Sequence, residues 1–258
     1  MTTNITHQAY TDYLSQNISG KSILVTGGTT GIGRAISLLL ASMGANILLT
    51  GLDQAHLEDT LKDAGKIDVG DKIRGIIADM STSEGIENIF NEVDKRFKGL
   101  DILINNAALA YQSIVDGNYK EWEYIIKTNL LGYLACSNRA IEKMKARQAG
   151  HIINIGSMSA DVREKGSSVY VATKSGIQGF SESLRKEVNE YGIKVTLIEP
   201  GAVGTDMQPS SPEEQREKIK NLEMLKAEDI AYAVVYCLAQ PSRCDVVELK
   251  IRPHLQMI

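Results

Sequence analysis

The fold of this chain is decided by one short stretch, Ser22-Ile-Leu-Val-Thr26-Gly27-Gly28-Thr29-Thr30-Gly31-Ile32-Gly33. An apolar run breaks there into a glycine-rich turn, and apolar residues then recur at helical spacing up to Met43, before Gly44. The pattern predicts a strand, a tight turn and a helix. Such a turn lets the backbone approach a phosphate group, and the helix start offers free N–H groups and a positive dipole end. A glycine-rich turn without a ligand is the alternative.

Strand and helix patterns then alternate to the end of the chain. Six further strands are predicted from apolar, β-rich runs at 46–50, 73–77, 100–105, 151–156, 194–199 and 246–251. The longest helical patterns lie around 121–147 and 168–191. This alternation favours a parallel sheet with helices on both faces. We predict an α/β fold, a doubly wound parallel sheet of about seven strands forming one Rossmann-type domain over 21–258, preceded by a short N-terminal arm over 1–20.

Composition excludes several classes of protein. The 258 residues are 43% hydrophobic and 23% charged, with a net charge of -4, and Lys and Arg are not clustered as nucleic-acid binding would require. No apolar run reaches the roughly 18 residues of a membrane span. The three cysteines have no metal-ligand pattern, and residues 1–20 lack the apolar core of a signal peptide. We predict a cytoplasmic protein with no metal, nucleic-acid or membrane partner.

A second stretch, Ser168-Val-Tyr-Val-Ala-Thr-Lys174, carries a candidate for acid/base chemistry. On a helix, Tyr170 and Lys174 lie on one face. A cation beside a phenol stabilises the phenolate and lowers its pKa from about 10. Tyr170 would then be a usable general acid/base for the proton of an alcohol. A surface Tyr–Lys pair is the alternative.

Together with several other motifs, these stretches resemble the short-chain dehydrogenase/reductase family over about residues 20–252. The motifs, in chain order, are Thr26-Gly-x-x-x-Gly31-x-Gly33, Asn105-Asn-Ala-Ala108, Asn129, Ser157, Tyr170-x-x-x-Lys174 and Pro200-Gly-x-Val-x-Thr205. The resemblance implies an oxidoreductase that acts on CH–OH groups with NAD or NADP. The C-terminal stretch 246–253 is similar to that of members acting on 3-hydroxy acids, serine and related small alcohols or aldehydes.

The resemblance implies a catalytic group of four residues. Tyr170 is the acid/base, and Lys174 lowers the pKa of the tyrosine and bonds the nicotinamide ribose. Ser157 hydrogen-bonds the substrate oxygen, and Asn129 anchors a water that links Lys174 to solvent. Ser159 lies close enough to be confused with Ser157, but the spacing to Tyr170 favours Ser157.

The resemblance also implies a dinucleotide site, and its predicted members come from several loops. They are Gly27, Thr29, Thr30, Gly31, Ile32, Gly33, Leu52, Asp53, Asp79, Met80, Asn106, Ala107, Ala108, Tyr170, Lys174, Pro200, Gly201, Val203 and Thr205. Ala108 departs from the family pattern, which usually ends in Gly. Asp79 resembles an adenine-contacting residue, with a helix-cap or loop role as the alternative.

The choice between NAD and NADP depends on Asp53. It lies 20 positions beyond Gly33, where an acidic residue commonly binds the ribose hydroxyls of NAD. Relatives that use NADP usually carry Arg or Lys where this chain has Leu52 or Thr30. We therefore predict NAD, with NADP as the alternative cofactor. A simple helix cap is the other role open to Asp53.

The predicted substrate is a small alcohol or carbonyl compound, with a 3-hydroxy or 3-oxo acid as one candidate. Arg163 and Lys165 are candidates to attract a carboxylate, or else belong to a solvated face. The resemblance further implies that the polar loop 205–222 covers the substrate. It also implies that the two long helices form a homotetramer or homodimer. The histidines 7, 56, 151 and 254 receive no role. The alternatives are a catalytically silent, dinucleotide-binding regulatory protein and an epimerase or dehydratase of the extended branch.

Overall fold

A computed structural model describes residues 7–111 and 113–256 of the chain. Part of the predicted N-terminal arm, residues 1–6, lies outside the described residues. The described part of that segment contains helix α1 (His7–Gln16), which contacts a helix near the C-terminus. After it, the Asn17 side chain donates to the Ala239 carbonyl at 3.2 Å, and Ile18 is fully buried. The boundary between an arm and a domain stays a prediction.

Seven parallel strands form one sheet in the order β3-β2-β1-β4-β5-β6-β7. In chain order they are β1 Ser22–Val25, β2 Asn46–Gly51, β3 Ile73–Ile77, β4 Ile102–Asn105, β5 Gly150–Ile155, β6 Ile193–Pro200 and β7 Glu248–Ile251. Strand β1 pairs with β2 and β4, so that Ile23 faces Ile47 on one side and Ile102 on the other. The strand order reverses between β1 and β4. At such a reversal, the carboxyl ends of the strands leave a crevice between the loops that follow them.

Helices cover both faces of the sheet. After α1 they are α2 Gly31–Ser42, α3 Gln54–Lys66, α4 Ser83–Arg96, α5 Tyr119–Ile126, α6 Gly132–Lys145, α7 Ser159–Val162, α8 Ser168–Val188, α9 Pro212–Lys220 and α10 Ala227–Ala239. One apolar cluster lies between the sheet and α2, α3 and α10, and a second lies between the sheet and α4, α6 and α8. The strands are near-continuous Val, Ile and Leu because apolar side chains are buried on both of their faces.

The structure confirms the predicted α/β fold, and its strands agree with the predicted ones to within about two residues. Two helical regions differ from the prediction. The expected helix over 121–147 contains a π-helical turn at Lys127–Leu131, and the loop predicted over 205–222 contains α9, which begins with a Ser211–Glu214 capping box. In the described part of the chain, no helix is long and apolar enough to cross a membrane.

Candidate active site

The glycine-rich turn after β1 brings the backbone close to two other loops. Gly27 and Gly31 have φ angles of 62° and 50°, which favour glycine. A Cβ at Gly27 would lie 2.7 Å from the Cα of Ala107, and one at Gly31 would lie 3.1 Å from the Thr205 methyl. Both glycines are therefore required by backbone conformation and by space, and the turn meets the loops that follow β4 and β6.

Thr26 and Asn106 fix this turn from beneath. The fully buried Thr26 hydroxyl accepts from the backbone N–H groups of Asn106 at 3.0 Å and Ala107 at 3.2 Å. In return, the Asn106 amide donates to the carbonyls of Thr26 at 3.1 Å and Gly27 at 2.9 Å. These reciprocal bonds join the loops after β1 and β4, which are the two strands at the reversal of strand order.

Helix α2 begins at this turn with N–H groups that its own first residues do not cap. Thr30 occupies the N-cap position in extended conformation, but its side chain makes no capping hydrogen bond. By contrast, Asp53 and Thr82 accept from backbone N–H groups at the starts of α3 and α4. The first N–H groups of a helix have no partner within the helix, so those of α2 remain available to an anionic group.

The crevice contains a cavity of about 350 Å³ next to this helix start. Its lining includes 19 of the 21 residues predicted for the cofactor site or for catalysis, all except Gly33 and Asn129. The loops after β1, β2, β3, β4, β5 and β6 all contribute to its lining. Residues far apart in the sequence therefore meet at the carboxyl edge of the sheet, as the fold requires.

Gly33 and Asn129 lie behind the cavity. A Cβ at Gly33 would overlap the Gly27 carbonyl and the Asn106 amide, so Gly33 permits close packing of α2 against the turn. The buried Asn129 amide accepts from the backbone N–H of Leu109 and donates to its carbonyl, both at 2.8 Å. Its position in the π-helical turn aims the side chain at the loop after β4. Asn129 thus clamps that loop, and its predicted water-anchoring role stays a prediction.

The cavity lining also includes Asp53, His56 and Asp79. The Asp53 carboxylate accepts from the backbone N–H of His56 at 2.9 Å and caps α3, so the alternative considered for it is realised. The cap uses Oδ1, and the Asp53 side chain is 57% exposed, which leaves Oδ2 open for a ligand. Asp79 accepts from the Ser81 N–H at 2.9 Å, as a loop aspartate does.

Tyr170 and Lys174 lie one helical turn apart at the start of α8. Lys174 is 2% exposed, and its ammonium donates to the Ile155 carbonyl at 2.9 Å. The same ammonium lies 5.7 Å from the ring centres of both Tyr170 and Tyr133. The Ser157 hydroxyl hydrogen-bonds the Tyr170 hydroxyl and also accepts from the Ser159 N–H at 3.1 Å. Tyr170, Lys174 and Ser157 therefore form one group.

Burial controls the protonation of this group. It raises the pKa of Tyr170 above its usual value near 10, although the hydrogen bond from Ser157 lowers it, and the charge of Glu164 raises it further. This direction is opposite to the one that the sequence predicts, because desolvation of the phenol outweighs an ammonium 5.7 Å from its ring centre. Burial also lowers the pKa of Lys174 to about 8, against the opposing charge of Glu199.

Glu199 is an ionisable side chain beneath the site that the sequence did not indicate. It is fully buried, and within the described residues neither carboxylate oxygen has a hydrogen-bond partner. Its nearest cation is Lys250, 3.6 Å from Oε2, which also pairs with Asp161 and Glu248. Burial raises the pKa of Glu199 to about 7, while the charge of Lys250 opposes the rise.

A second cavity, of about 770 Å³, adjoins the first. Its lining comes from loops, from the first turns of three helices and from the C-terminal stretch: Ala110, Tyr111, Ser113, Asp116, Glu121, Ser157, Met158, Ser159, Glu164, Ser167, Tyr170, Pro200, Gly201, Ala202, Met207, Gln208, Pro209 and Gln256. Tyr170 and Ser157 line both cavities, as do Met207 and Gln208 from the segment before α9. The Tyr170–Ser157 pair thus lies where the two cavities meet.

The sequence missed several lining residues. His56, to which it gave no role, lines the first cavity, and its only sequence signal is its place in the first turn after Asp53. Gln256 lines the second cavity, and its amide oxygen accepts from the Ala202 N–H at 3.0 Å. Arg163 and Lys165, the candidates for binding a carboxylate, are not among the described residues that line either cavity. Nothing local in the sequence distinguishes these positions.

Comparison with known proteins identifies the class to which this fold and site belong. A family model described as short chain dehydrogenase matches residues 21–216. The chain belongs to the short-chain dehydrogenase family, whose members are oxidoreductases that typically use NAD or NADP.

The curated relatives span nearly the same length as this chain. An uncharacterised oxidoreductase of Staphylococcus aureus strain USA300 is 33% identical over 237 residues, which cover 92% of this chain and 98% of the relative. An uncharacterised oxidoreductase of Staphylococcus epidermidis is 35% identical over the same shares of both chains. A third, from Staphylococcus aureus strain MW2, is 34% identical.

Proposed function

We propose that this protein is an NAD(P)-dependent oxidoreductase that interconverts a small alcohol and its carbonyl compound, with Tyr170 as the acid/base. The observation that carries the proposal is the position of the Tyr170–Ser157 pair between a glycine-lined cavity and a separate polar cavity. A cofactor in the first and a substrate in the second would meet at the tyrosine hydroxyl.

The residues of the first cavity fit a dinucleotide. The uncapped start of α2 and the turn at Gly27 and Gly31 suit a pyrophosphate, since both offer backbone close to the ligand and positive dipole ends. Asp53 and Asp79 suit the adenosine end, and Lys174 suits a ribose next to Tyr170. When bound, the cofactor supplies the ring that accepts or donates the hydride and, in its oxidised form, a positive charge.

The chain's own groups move the proton. In the direction of alcohol oxidation, the Tyr170 phenolate accepts the hydroxyl proton, and in the reverse direction the phenol donates it. Burial holds the phenol neutral, so the phenolate requires positive charge close by, and Lys174 is the chain's nearest source of it. Ser157 orients the tyrosine hydroxyl, and Asn129 supports the catalytic geometry by holding the Leu109 backbone.

We propose NAD rather than NADP because the carboxylate of Asp53 lies in the first cavity. Capping α3 engages one of its oxygens, which leaves the second for ribose hydroxyls and keeps a negative charge where NADP would bring a phosphate. Leu52 and Thr30, also in the lining, offer no compensating cation.

A homotetramer or homodimer and a cytoplasmic location also remain proposals. Exposed apolar residues on and beside the π-helical turn, Tyr124, Ile126 and Leu131, favour self-association through the first long helical region. The three cysteines are unpaired, and Cys244 is exposed, which suits a reducing compartment. Light scattering of the purified chain would measure the oligomeric state directly.

Titration with NADH and, separately, NADPH tests the proposal. The chain has a single tryptophan, Trp122, beside the second cavity, so energy transfer from its fluorescence to the reduced nicotinamide reports binding. We expect NADH to bind more tightly than NADPH, and NAD to be reduced in the presence of small alcohols. Binding without turnover of a broad alcohol and carbonyl panel would favour the silent regulatory protein, and binding of neither nucleotide would contradict both readings.

A further inference from the structure

The second cavity carries an uneven distribution of charge. Among the described residues that line it, the ionisable acids are Asp116, Glu121 and Glu164, and none is Lys or Arg. The remaining polar side chains of the lining are serines, the tyrosines Tyr111 and Tyr170, and the amides of Gln208 and Gln256. The location of this cavity as a substrate site rests on Tyr170 and Ser157.

Two of these acids are oriented by their neighbours. Glu164 accepts from the Ser159 hydroxyl at 3.1 Å, and Glu121 accepts from the Tyr111 hydroxyl at 2.8 Å. Each of these bonds engages one of the two carboxylate oxygens and comes from a neutral hydroxyl, so neither bond brings a positive charge into the lining.

Their charge reaches the reacting end of the cavity. Burial is the largest cause of the raised pKa of Tyr170, and the hydrogen bond from Ser157 opposes it. The charge of Glu164 adds to the rise in this pKa. Burial is likewise the largest cause of the raised pKa of Tyr111, and the charges of Glu121 and Asp116 add to it. A field that opposes a phenolate at Tyr170 also opposes an anionic substrate beside it.

The basic residues on either side of Glu164 in the sequence do not neutralise the negative charge of the cavity lining. Arg163 follows the short helix α7, and its side chain donates to the Ala160 carbonyl at 3.1 Å. Neither it nor Lys165 belongs to the described lining of the cavity. A substrate carboxylate would therefore enter a site with three like charges and no counter-ion in that lining.

We propose that the substrate of this site carries a protonated amine, as a small amino alcohol or amino ketone does, and that hydroxy acids are poor substrates. The inference rests on the proposed function, because it takes the second cavity as the substrate side of Tyr170. It replaces the 3-hydroxy acid that the C-terminal stretch indicates with a cation of similar size.

Three compounds that share one reacting carbon test the charge preference. They are 4-amino-2-butanol, 1,3-butanediol and 3-hydroxybutyrate, which end in a cation, a neutral hydroxyl and an anion. With NAD and the full chain, we expect kcat/KM to fall by about fivefold at each step, the size of one partly exposed charge interaction. Added salt should reduce the differences in kcat/KM among the three compounds, because exposed charges are screened within about 10 Å at 0.1 M ionic strength.

Charge-neutral variants locate the source of the preference. Glu164→Gln and Asp116→Asn should each reduce the ratio of amine to acid turnover by several-fold while NADH affinity stays unchanged. Asp71→Asn is the matched control, since it removes the same charge from the amino end of β3, on the far side of the sheet. Quenching of Trp122 by butylamine and by butyrate gives a binding measurement without turnover, with butylamine expected to bind more tightly.

Turnover of 3-hydroxybutyrate at or above the rate of the amine would overturn the inference and leave the proposed oxidoreductase standing. Turnover of none of the three compounds, with NADH bound, would overturn it too. The wider alcohol and carbonyl panel then decides the proposed function separately. The ratio of amine to acid turnover could also be the same in Glu164→Gln and Asp116→Asn as in the control Asp71→Asn. That result would show that the acids do not select the substrate.

Discussion

The two cavities that meet at Tyr170 are built by different means. The first is lined by residues that follow the carboxyl ends of six strands, among them Gly27, Gly31 and Ala107. The second is lined mostly by residues of loops, including Asp116, Glu164 and Gln256. The parallel sheet fixes the backbone of the first, whereas the second depends on how separate loops pack. The first cavity thus suits a ligand that many proteins of this fold bind. The second suits a ligand that is particular to this protein.

The largest expected effect comes from Tyr170, which lines both cavities. Tyr170→Phe keeps the ring but removes the hydroxyl, so kcat should fall by about 10²- to 10⁴-fold, the usual contribution of a general acid/base. NADH affinity should change little. Steady-state kinetics and nucleotide titration measure the two effects, with the exposed Tyr232→Phe on α10 as control. Retained turnover would assign the proton transfer to another group.

Glu199 lies directly before Pro200, which lines both cavities. A substitution at Glu199 therefore tests how a buried carboxyl group next to the site affects the stability of the fold. Burial raises its pKa from 4.5 to about 7. A raised carboxyl pKa means that the folded state holds the proton more tightly, so its cost to folding is present above pH 7 and disappears as the pH falls toward 4.5. Glu199→Gln removes this titration.

The variant should therefore gain stability relative to the wild type between pH 5 and pH 8. The gain corresponds to about 3 kcal/mol at most in the free energy of unfolding, from the size of the pKa change. Urea denaturation at both pH values measures it, and the exposed Glu142→Gln is the control. An equal difference between variant and wild type at the two pH values would mean that Glu199 keeps an ordinary pKa.

Gly33→Ala tests whether the first cavity depends on close backbone packing. The added Cβ would overlap the Gly27 carbonyl and the Asn106 amide, so the turn must shift. We expect a loss of about 2 kcal/mol in stability, in the range for overpacking, and at least tenfold weaker NADH binding.

Gly65→Ala is the matched control, because a Cβ there meets no atom within 4 Å. It lies inside α3, where alanine should stabilise the helix by about 0.5–1 kcal/mol relative to glycine. If the NADH affinity of Gly33→Ala equalled that of the wild type, the turn would not be part of the nucleotide site.

The smallest expected effect separates the two roles of Asp53. Asn is as good an N-cap as Asp, so Asp53→Asn keeps α3 capped but removes the charge. The ratio of NADPH to NADH dissociation constants should fall by about fivefold, equivalent to about 1 kcal/mol. Asp53→Ala should in addition lose about 1 kcal/mol of stability with the cap. A ratio that stays constant in Asp53→Asn would leave Asp53 with the capping role alone.

Most of the predicted site residues line the first cavity, and the sequence indicates them because their signals are local. Gly27 and Gly31 are required by their own backbone conformation, and Tyr170 and Lys174 by helical spacing, so each can be read within a few residues. His56 carries no such signal, since it enters the lining through the direction of α3. The π-helical turn around Asn129 likewise depends on the loop that it clamps.

The sequence by itself determined the succession of strands and helices along the chain, the glycine-rich turn and the Tyr170–Lys174 pair, because periodicity and glycine conformation act over short distances. Only the tertiary structure decided the protonation of the site and the charge of the second cavity. The pKa of Tyr170 follows from burial and from Glu164, and that of Lys174 from burial against Glu199. Desolvation and charge act through space, so they depend on neighbours that the folded chain brings together.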